Sequence, residues 1–362
     1  MTSETPDQNR GPLPQGSRIG ILGGGQLGRM LALAAARLGM EVEIFEPGAD
    51  PCAAQVANAV TRAGFEDIGA LSDFAGRVDV ATYEFENVPL GAIDTLGARV
   101  GVHPCRRALE VSQDRIVEKD FLTEIGLRTA PYARIDDFDD LRAALETIGP
   151  RAILKTRRFG YDGKGQARIG DPDEAPSAWE ALGRTPSVLE GFVDFDREIS
   201  VIAARGQDGQ VVAFDPGENV HDDGILRTTT VPAAIPTALA QDAVLLAGRI
   251  LNALDYVGVI GVELFVTPSG LVVNEIAPRV HNSGHWTQDG CLIDQFEQHI
   301  RAICGWPLGD GARHSNAVMT NLIGEEVFGA AAMTGAGVHL YGKGSARPGR
   351  KMGHVTRISP KT

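Results

Sequence analysis

Residues 18–47 constrain the fold more than any other stretch of the chain. RIGILG is a short apolar run, the glycines at 23–25 form a turn, an amphipathic segment reaches Gly39, and EVEIF is a second apolar run. Two strands joined through a helix cannot pair as a tight hairpin. They lie parallel, and a right-handed crossover puts the helix on one face of the sheet. Further strands are expected at 78–83 and 99–102, giving a doubly wound parallel-sheet domain over residues 17–114. Ser112 is expected to cap the next helix, which runs to Gly126.

From residue 131 the pattern changes to short strands with tight turns: RAILKT, GQARIG, SVLEGFV, REISVIAARG and QVVAFD. Helices are expected over 138–148, 172–182 and 236–254, then a strand hairpin GVIGVELFV-TPSG-LVVNEIAP, then a helix over 288–303. The fold class is therefore α/β followed by α+β. With 362 residues the chain exceeds the ~250–300 that one core usually serves. The segments 115–309 and 310–362, the latter small and strand-rich, are read as further domains. Residues 1–16, polar and rich in Pro and Gly, are read as a loose, disordered tail.

Composition narrows the partners. A formal charge of −13 argues against general affinity for nucleic acid or an anionic membrane, so an anionic substrate must meet locally concentrated cations. The four cysteines form no CxxC pair and the eight histidines no HExxH motif, so no zinc site is expected and reduced, cytoplasmic thiols are the simpler reading. The longest helical apolar stretch, residues 30–36, is too short to span a bilayer.

GGGQLG at 23–28 satisfies GxGxxG between a strand and a helix, leaving backbone N–H groups where a phosphate could dock, and Glu46 stands where a ribose-binding acid would. The same glycines also serve a tight turn and close helix–sheet packing, and the motif alone does not separate these readings.

The hairpin does more. A three-residue loop Pro268-Ser269-Gly270 pairs Thr267 with Leu271, and counting outward sets Glu263 opposite Glu275. Two carboxylates opposed on one sheet face repel unless a cation lies between them, and oxygen-only ligands suit magnesium carrying nucleotide phosphates. Asn274 supplies a further oxygen. A four-residue turn would instead send the glutamates to opposite faces.

Lys155 ends an apolar strand and precedes Arg157, Arg158 and the glycine loop 160–165, an arrangement that neutralises phosphates and closes over them, though no Walker loop is present. The alternative is a solvated basic hairpin. The stretch Glu190-Gly191-Phe192-Val193 offers backbone for an adenine edge and Glu198 an acceptor for ribose hydroxyls, or both are ordinary surface strand. RVHNSGHW at 279–286 is dense in hydrogen-bonding groups directly after the hairpin. Lys343 and the run RPGRK at 347–351 concentrate cations that either face solvent or hold a phosphate monoester.

The ordered set GGGQLGRM, YEFENVP, KTRRFGYDGKGQ, EGFVDFDREIS, VHDDGILR, GVELFVTPSGLVVNEIAPRVHNSGHWTQDG and RPGRKMGH resembles the 5-(carboxyamino)imidazole ribonucleotide synthetases of the ATP-grasp ligases over nearly the whole chain. The resemblance implies an ATP-grasp fold with a pre-ATP-grasp domain, a two-lobed nucleotide clamp, a small C-terminal domain and a homodimer. It implies phosphorylation of bicarbonate by ATP to carboxyphosphate, followed by carboxylation of the exocyclic amine of 5-aminoimidazole ribonucleotide, in purine (IMP) biosynthesis.

By the same resemblance, ATP is held by Arg115, Lys155, the loop Gly160, Tyr161, Asp162, Gly163, Lys164, Gly165 and Gln166, by Glu190, Gly191, Phe192, Val193, Glu198 and His221, and by Asn274 and Glu275. Magnesium, two ions or manganese in their place, sits at Glu263 and Glu275. Arg279 and His281 orient carboxyphosphate, with Lys155 as the third catalytic group. Tyr161, Asp162 and Lys164 also help bind the imidazole nucleotide, faced by Gln26, Leu27, Glu84, Asn282 and Ser283, and Lys343, Arg350 and Lys351 grip its phosphate. One departure is Asp215 in FDPGENVH, where the family often carries an aromatic residue. The rival ligase is the formate-dependent glycinamide ribonucleotide transformylase, against which NSGHWT and RPGRK count. A nicotinamide-dependent oxidoreductase would explain GGGQLG but leaves Glu263 opposite Glu275 without a purpose, and a noncatalytic nucleotide-binding regulator would not need that pair.

Overall fold

The computed structural model describes residues 11–160 and 163–362. The first sheet is wholly parallel. It comprises β1 (Arg18–Leu22), β2 (Glu41–Phe45), β3 (Ala59–Thr61), β4 (Val80–Tyr83) and β5 (Gly101–Val102) in the order β3-β2-β1-β4-β5. Its crossovers carry α1 (Gln26–Arg37), α2 (Ile68–Ala75) and α3 (Leu90–Gly97). The strand order reverses between β1 and β4, and the crevice at their carboxyl ends is where such folds place ligands.

Two helices follow, α4 (Arg106–Ser112) and α5 (Arg115–Glu124). Ser112 does not cap α5. It closes α4, its hydroxyl donating to Leu109 O, and the cap is Asp114, whose carboxylate accepts from Ile116 N at 3.0 Å. Arg157 fixes this break by gripping the Asp114 carboxylate at 2.6 Å.

The second sheet is antiparallel, with β6 (Tyr132–Ile135), β7 (Ala152–Thr156), β8 (Gln166–Ile169) and β9 (Ser187–Gly191) in the order β6-β9-β7-β8. With α6 (Phe138–Ile148) and α7 (Ala175–Ala181) it encloses its own core around Leu141, Leu154, Trp179 and Leu189.

The third sheet holds β10 (Arg197–Arg205), β11 (Val211–Ala213), β12 (Gly217–Asp222), β13 (Ile225–Val231), β14 (Gly258–Thr267), β15 (Gly270–Ala277), β16 (Ser315–Ile323), β17 (Gly337–Leu340) and β18 (Lys351–Pro360). Its main path is β15-β14-β10-β12-β13-β16-β18-β17, with β11 on β10. The C-terminal strands thus extend the sheet of the preceding region through β13 and β16. Helices α8 (Thr237–Ala253), α9 (Thr287–Gly290) and α10 (Gln295–Ile303) pack against it. The helix expected over 288–303 is broken at 291–294, because Asp294 caps α10 by accepting from Phe296 N and Glu297 N.

One apolar cluster runs from Ile21 and Leu31 of the first sheet and α1 through Phe296 and Ile300 of α10 to Phe214 and Trp286. Arg37 binds Asp294 at 2.6 Å and Thr82 meets His299 at 2.9 Å across the same joint. The tail expected to be loose through residue 16 is held from residue 13. Leu13 N donates to Cys304 O at 2.9 Å and Trp306 Nε1 donates to Leu13 O at 2.8 Å, because the indole needs a buried acceptor. Among the described residues no helix is long and apolar enough to cross a membrane.

Candidate active site

The hairpin of β14 and β15 reaches the expected juxtaposition by a different route. The turn has two residues, with Thr267 opposite Gly270, and that register alone would set Glu263 opposite Asn274. A bulge between Glu263 and Leu264 restores the pairing: Leu264 faces Val273, Glu263 faces Glu275, and Asn274 is the extra residue. Its amide points back to the Glu263 carboxylate at 3.4 Å. Burial, and then the charge of Glu275, push the Glu263 carboxyl up to about 7. Burial acts the same way on Glu275, but the Arg115 guanidinium at 3.0 Å outweighs it and holds that carboxyl low.

Helix α5 braces both lobes. Arg115 binds Glu275, the buried Glu118 carboxyl accepts from Ile276 N at 2.6 Å, and Lys119 reaches Glu190 on β9 at 3.2 Å. Lys155 from β7 meets the same carboxylate at 3.0 Å. Burial opposes the charge on Glu190, yet Lys155, Lys119 and Arg115 together hold its carboxyl down to about 2. Burial lowers the Lys155 ammonium, and burial with the charge of Glu275 lifts Glu118 to about 8. Glu190 therefore turns its side chain inward between two lysines. Neither Glu118 nor Lys119 was singled out from sequence, although residues 115, 118 and 119 share one face of the helix, a charged face that is turned inward with Leu122.

After β15 the chain turns sharply, with Arg279 N donating to Ala277 O at 2.8 Å. Arg279 binds Glu86 at 2.5 Å, which joins the hairpin to the loop after β4. His281 points Nε2 toward Glu263 at 3.4 Å, and its Nδ1 meets Ser283 Oγ at 2.8 Å. Burial, reinforced by Arg279, lowers the His281 imidazole to about 3, so it is neutral at pH 7. Ser283, expected to face a substrate, is buried and receives a hydrogen bond from Ser200 at 2.7 Å, so it orients His281 instead. The amide of Asn282 is paired reciprocally with that of buried Asn321 on β16, at 3.0 and 2.8 Å.

The glycine turn holds anions of its own. Glu84, at the end of β4, accepts from Gly28 N at 2.6 Å and from Gly25 N, while Glu46 accepts from Gly24 N at 2.7 Å. A side chain at Gly23 or Gly25 would collide with Glu84, so these glycines permit the close approach of a carboxylate. The docking place for a dinucleotide pyrophosphate is thereby filled and negatively charged, which removes the oxidoreductase reading. The Leu27 side chain, expected to face the imidazole nucleotide, is buried in the core because α1 turns its apolar stripe inward, whereas Gln26 is half-buried. Lys343 donates to Lys351 O at 2.7 Å, and burial with the charges of Arg350 and Lys351 lowers its ammonium to about 8. Arg350 donates to Ser345 O at 2.8 Å.

At the other end of the site His221 meets Glu198 at 2.6 Å, and this carboxylate keeps the imidazole more basic than usual despite burial. Gly160 is half-buried, Gly163, Lys164, Gly165 and Gln166 are exposed, and Gly163 lies against Gly224 in the β12–β13 turn. Tyr161 and Asp162 lie outside the described residues. Gly191 N and Phe192 N bond to Pro131 O and Arg151 O, and Val193 follows at the end of β9. Asp215, the departure noted above, carries an ion pair to Arg313 at 2.6 Å.

Comparison with known proteins places this geometry in context. The ATP-grasp domain matches residues 120–296, the ribonucleotide synthetase preATP-grasp domain residues 17–113, and the phosphoribosylaminoimidazole carboxylase C-terminal domain residues 317–362. The chain is 56% identical over 356 residues to an N5-carboxyaminoimidazole ribonucleotide synthase of Brucella melitensis, covering 97% of this chain and 98% of that one. It superposes with a TM-score of 0.89 on the N5-carboxyaminoimidazole ribonucleotide synthetase of Thermus thermophilus, at 46% identity, covering 94% of this chain and 93% of that one. The Aspergillus clavatus N5-carboxyaminoimidazole synthase, solved with ADP and 5-aminoimidazole ribonucleotide, superposes with a TM-score of 0.90 at 32% identity, covering 96% and 94%.

Proposed function

This chain belongs to the N5-carboxyaminoimidazole ribonucleotide synthase family, and we propose that it joins bicarbonate to the exocyclic amine of 5-aminoimidazole ribonucleotide with ATP, releasing ADP and phosphate. The observation that carries the reading is Glu263 held opposite Glu275 beside Arg115 and Lys155. A bicarbonate oxygen attacks the γ-phosphorus as the bond to ADP breaks. The amine nitrogen then attacks the carboxyl carbon of carboxyphosphate, and phosphate leaves with the bonding electrons and a proton.

Arg115 and Lys155 counter the charge of the phosphate chain, and the loop 160–166 screens it from water. Glu190 sets the position of the Lys155 ammonium, the backbone after it faces adenine, and Glu198 with His221 accepts the ribose. Arg279 and neutral His281 orient carboxyphosphate. Gln26 and the cations Lys343, Arg350 and Lys351 receive the imidazole nucleotide from the first domain and the C-terminal strands.

Among the described residues no group of three or more His, Cys, Asp or Glu side chains is placed to hold a metal. The carboxylates of Glu263 and Glu275 nonetheless fit magnesium and would hold it, with the Asn274 side chain beside them. The repelling pair of Glu263 and Glu275 is the structural sign of the fit. When bound, magnesium supplies positive charge to the transferring phosphoryl group. A homodimer and cytoplasmic residence complete the proposal. Exposed Phe328, Val338 and Leu340 near the sheet's outer edge support the dimer.

ADP release measured with each acceptor pair tests this reading. Dependence on bicarbonate and 5-aminoimidazole ribonucleotide is expected, while dependence on formate and glycinamide ribonucleotide would replace it with the transformylase.

A further inference from the structure

Gln295, the first residue of α10, is fully buried, and its side chain makes no bond within its own helix. Its Oε1 accepts from His281 N at 2.9 Å, and its Nε2 donates to His281 O at 2.7 Å. These two bonds reproduce a step of a β-ladder at a place where no strand runs. Nε2 also meets His285 Nδ1 at 3.0 Å, and buried His285 is kept neutral, so that nitrogen is an acceptor. The Gln295 main-chain N–H donates to Thr287 Oγ1 at 3.1 Å, and that hydroxyl donates to Gly284 O at 2.6 Å.

The surroundings leave this clamp no slack. A methyl group at Gly284 would lie 2.6 Å from Gln295 Oε1, and one at Gly261 would lie 2.7 Å from His281 Cβ. His281 is therefore pressed between the β14 backbone and the Gln295 amide. Its ring is fixed through Nδ1 by Ser283, leaving Nε2 directed at Glu263.

We infer that Gln295 is a positioning residue for the ligase reaction, acting through the main chain of His281. The inference rests on the role given to His281 above. A displacement near 1 Å at a reacting centre costs roughly 100-fold in rate, and the ATP-facing groups Arg115 and Lys155 lie on elements that the clamp does not touch.

The test compares ADP formation driven by bicarbonate and 5-aminoimidazole ribonucleotide in Gln295→Leu, Gln295→Glu, His281→Ala and the double variant His281→Ala/Gln295→Leu. Gln295→Leu is expected to lose roughly 10- to 100-fold in kcat with the KM for ATP unchanged. Gln295→Glu, which keeps the acceptor for His281 N, should fall between it and the wild type. The double variant should be no slower than His281→Ala alone, since both changes act on one group. Losses that multiply in the double variant, or a KM for ATP that rises with the fall in kcat, overturn the inference, because a general structural role predicts either. Wild-type turnover in Gln295→Leu overturns it while leaving His281 in place. Wild-type turnover in His281→Ala overturns the role of His281 itself. Should Gln295→Leu not fold, Gln295→Glu and its combination with His281→Ala decide the matter by the same comparison.

Discussion

Glu263 faces Glu275 because Asn274 is an extra residue in β15 with no partner in β14. The bulge brings the Asn274 amide to 3.4 Å from the Glu263 carboxylate, and the helix α5 delivers Arg115 to Glu275 at 3.0 Å.

Glu263→Gln should abolish ADP formation while stabilising the ligand-free protein at alkaline pH. The carboxyl is raised from an ordinary value to about 7. Its contribution to stability is therefore intact below about pH 4.5 and lost as pH rises through about 7. The variant removes that loss, so its gain, on the order of 3 kcal/mol, should appear at pH 8 and vanish at pH 4. Denaturant midpoints at the two pH values check this.

Arg279→Ala should reduce carboxylation by roughly 100- to 1,000-fold while leaving ATP affinity within a factor of a few. Equal losses of both would mark Arg279 as a brace for Glu86. Glu86→Gln keeps the shape of the ion pair without its charge and should give a smaller loss of the same kind, read from the kcat for each variant and from nucleotide binding by calorimetry.

Lys119→Met should destabilise the protein by roughly 3 kcal/mol, the usual cost of leaving a buried carboxylate short of a partner. Glu190 keeps Lys155, so the fold should survive. Urea unfolding gives the number, and a second change, Glu190→Gln, should recover part of it.

Lys343→Ala should raise the KM for 5-aminoimidazole ribonucleotide roughly tenfold with little change in the KM for ATP. The effect should shrink in high salt, as ionic contacts to a phosphate do. An unchanged KM would place the phosphate elsewhere.

Much of this architecture was legible because it is local. The βαβ start, the helices at 138–148 and 236–254 and the change to antiparallel strands all follow from apolar periodicity and glycine placement. The bulge was not legible: the correct pairing of Glu263 with Glu275 came from a wrong turn length, since a two-residue turn plus one extra residue gives the same sum as a three-residue loop. Residues whose partners lie far along the chain were the least visible. Glu84, a carboxylate aimed into a glycine turn 56 residues away, and Ser283, buried against Ser200 83 residues away, depend on the packed sheet for their meaning. Gln295 and Asn321 carry no motif, and only their burial among main-chain and amide groups marks them.

Strand β18 lies between β16 and β17, so the last stretch of chain is an interior strand. Clipping residues 351–360 would strip β16 of one of its two neighbours and disturb Asn321, whose amide pairs with that of Asn282. Damage near the carboxyl terminus should thus register first as a catalytic defect, well before the parallel sheet at the opposite end of the molecule loses its shape.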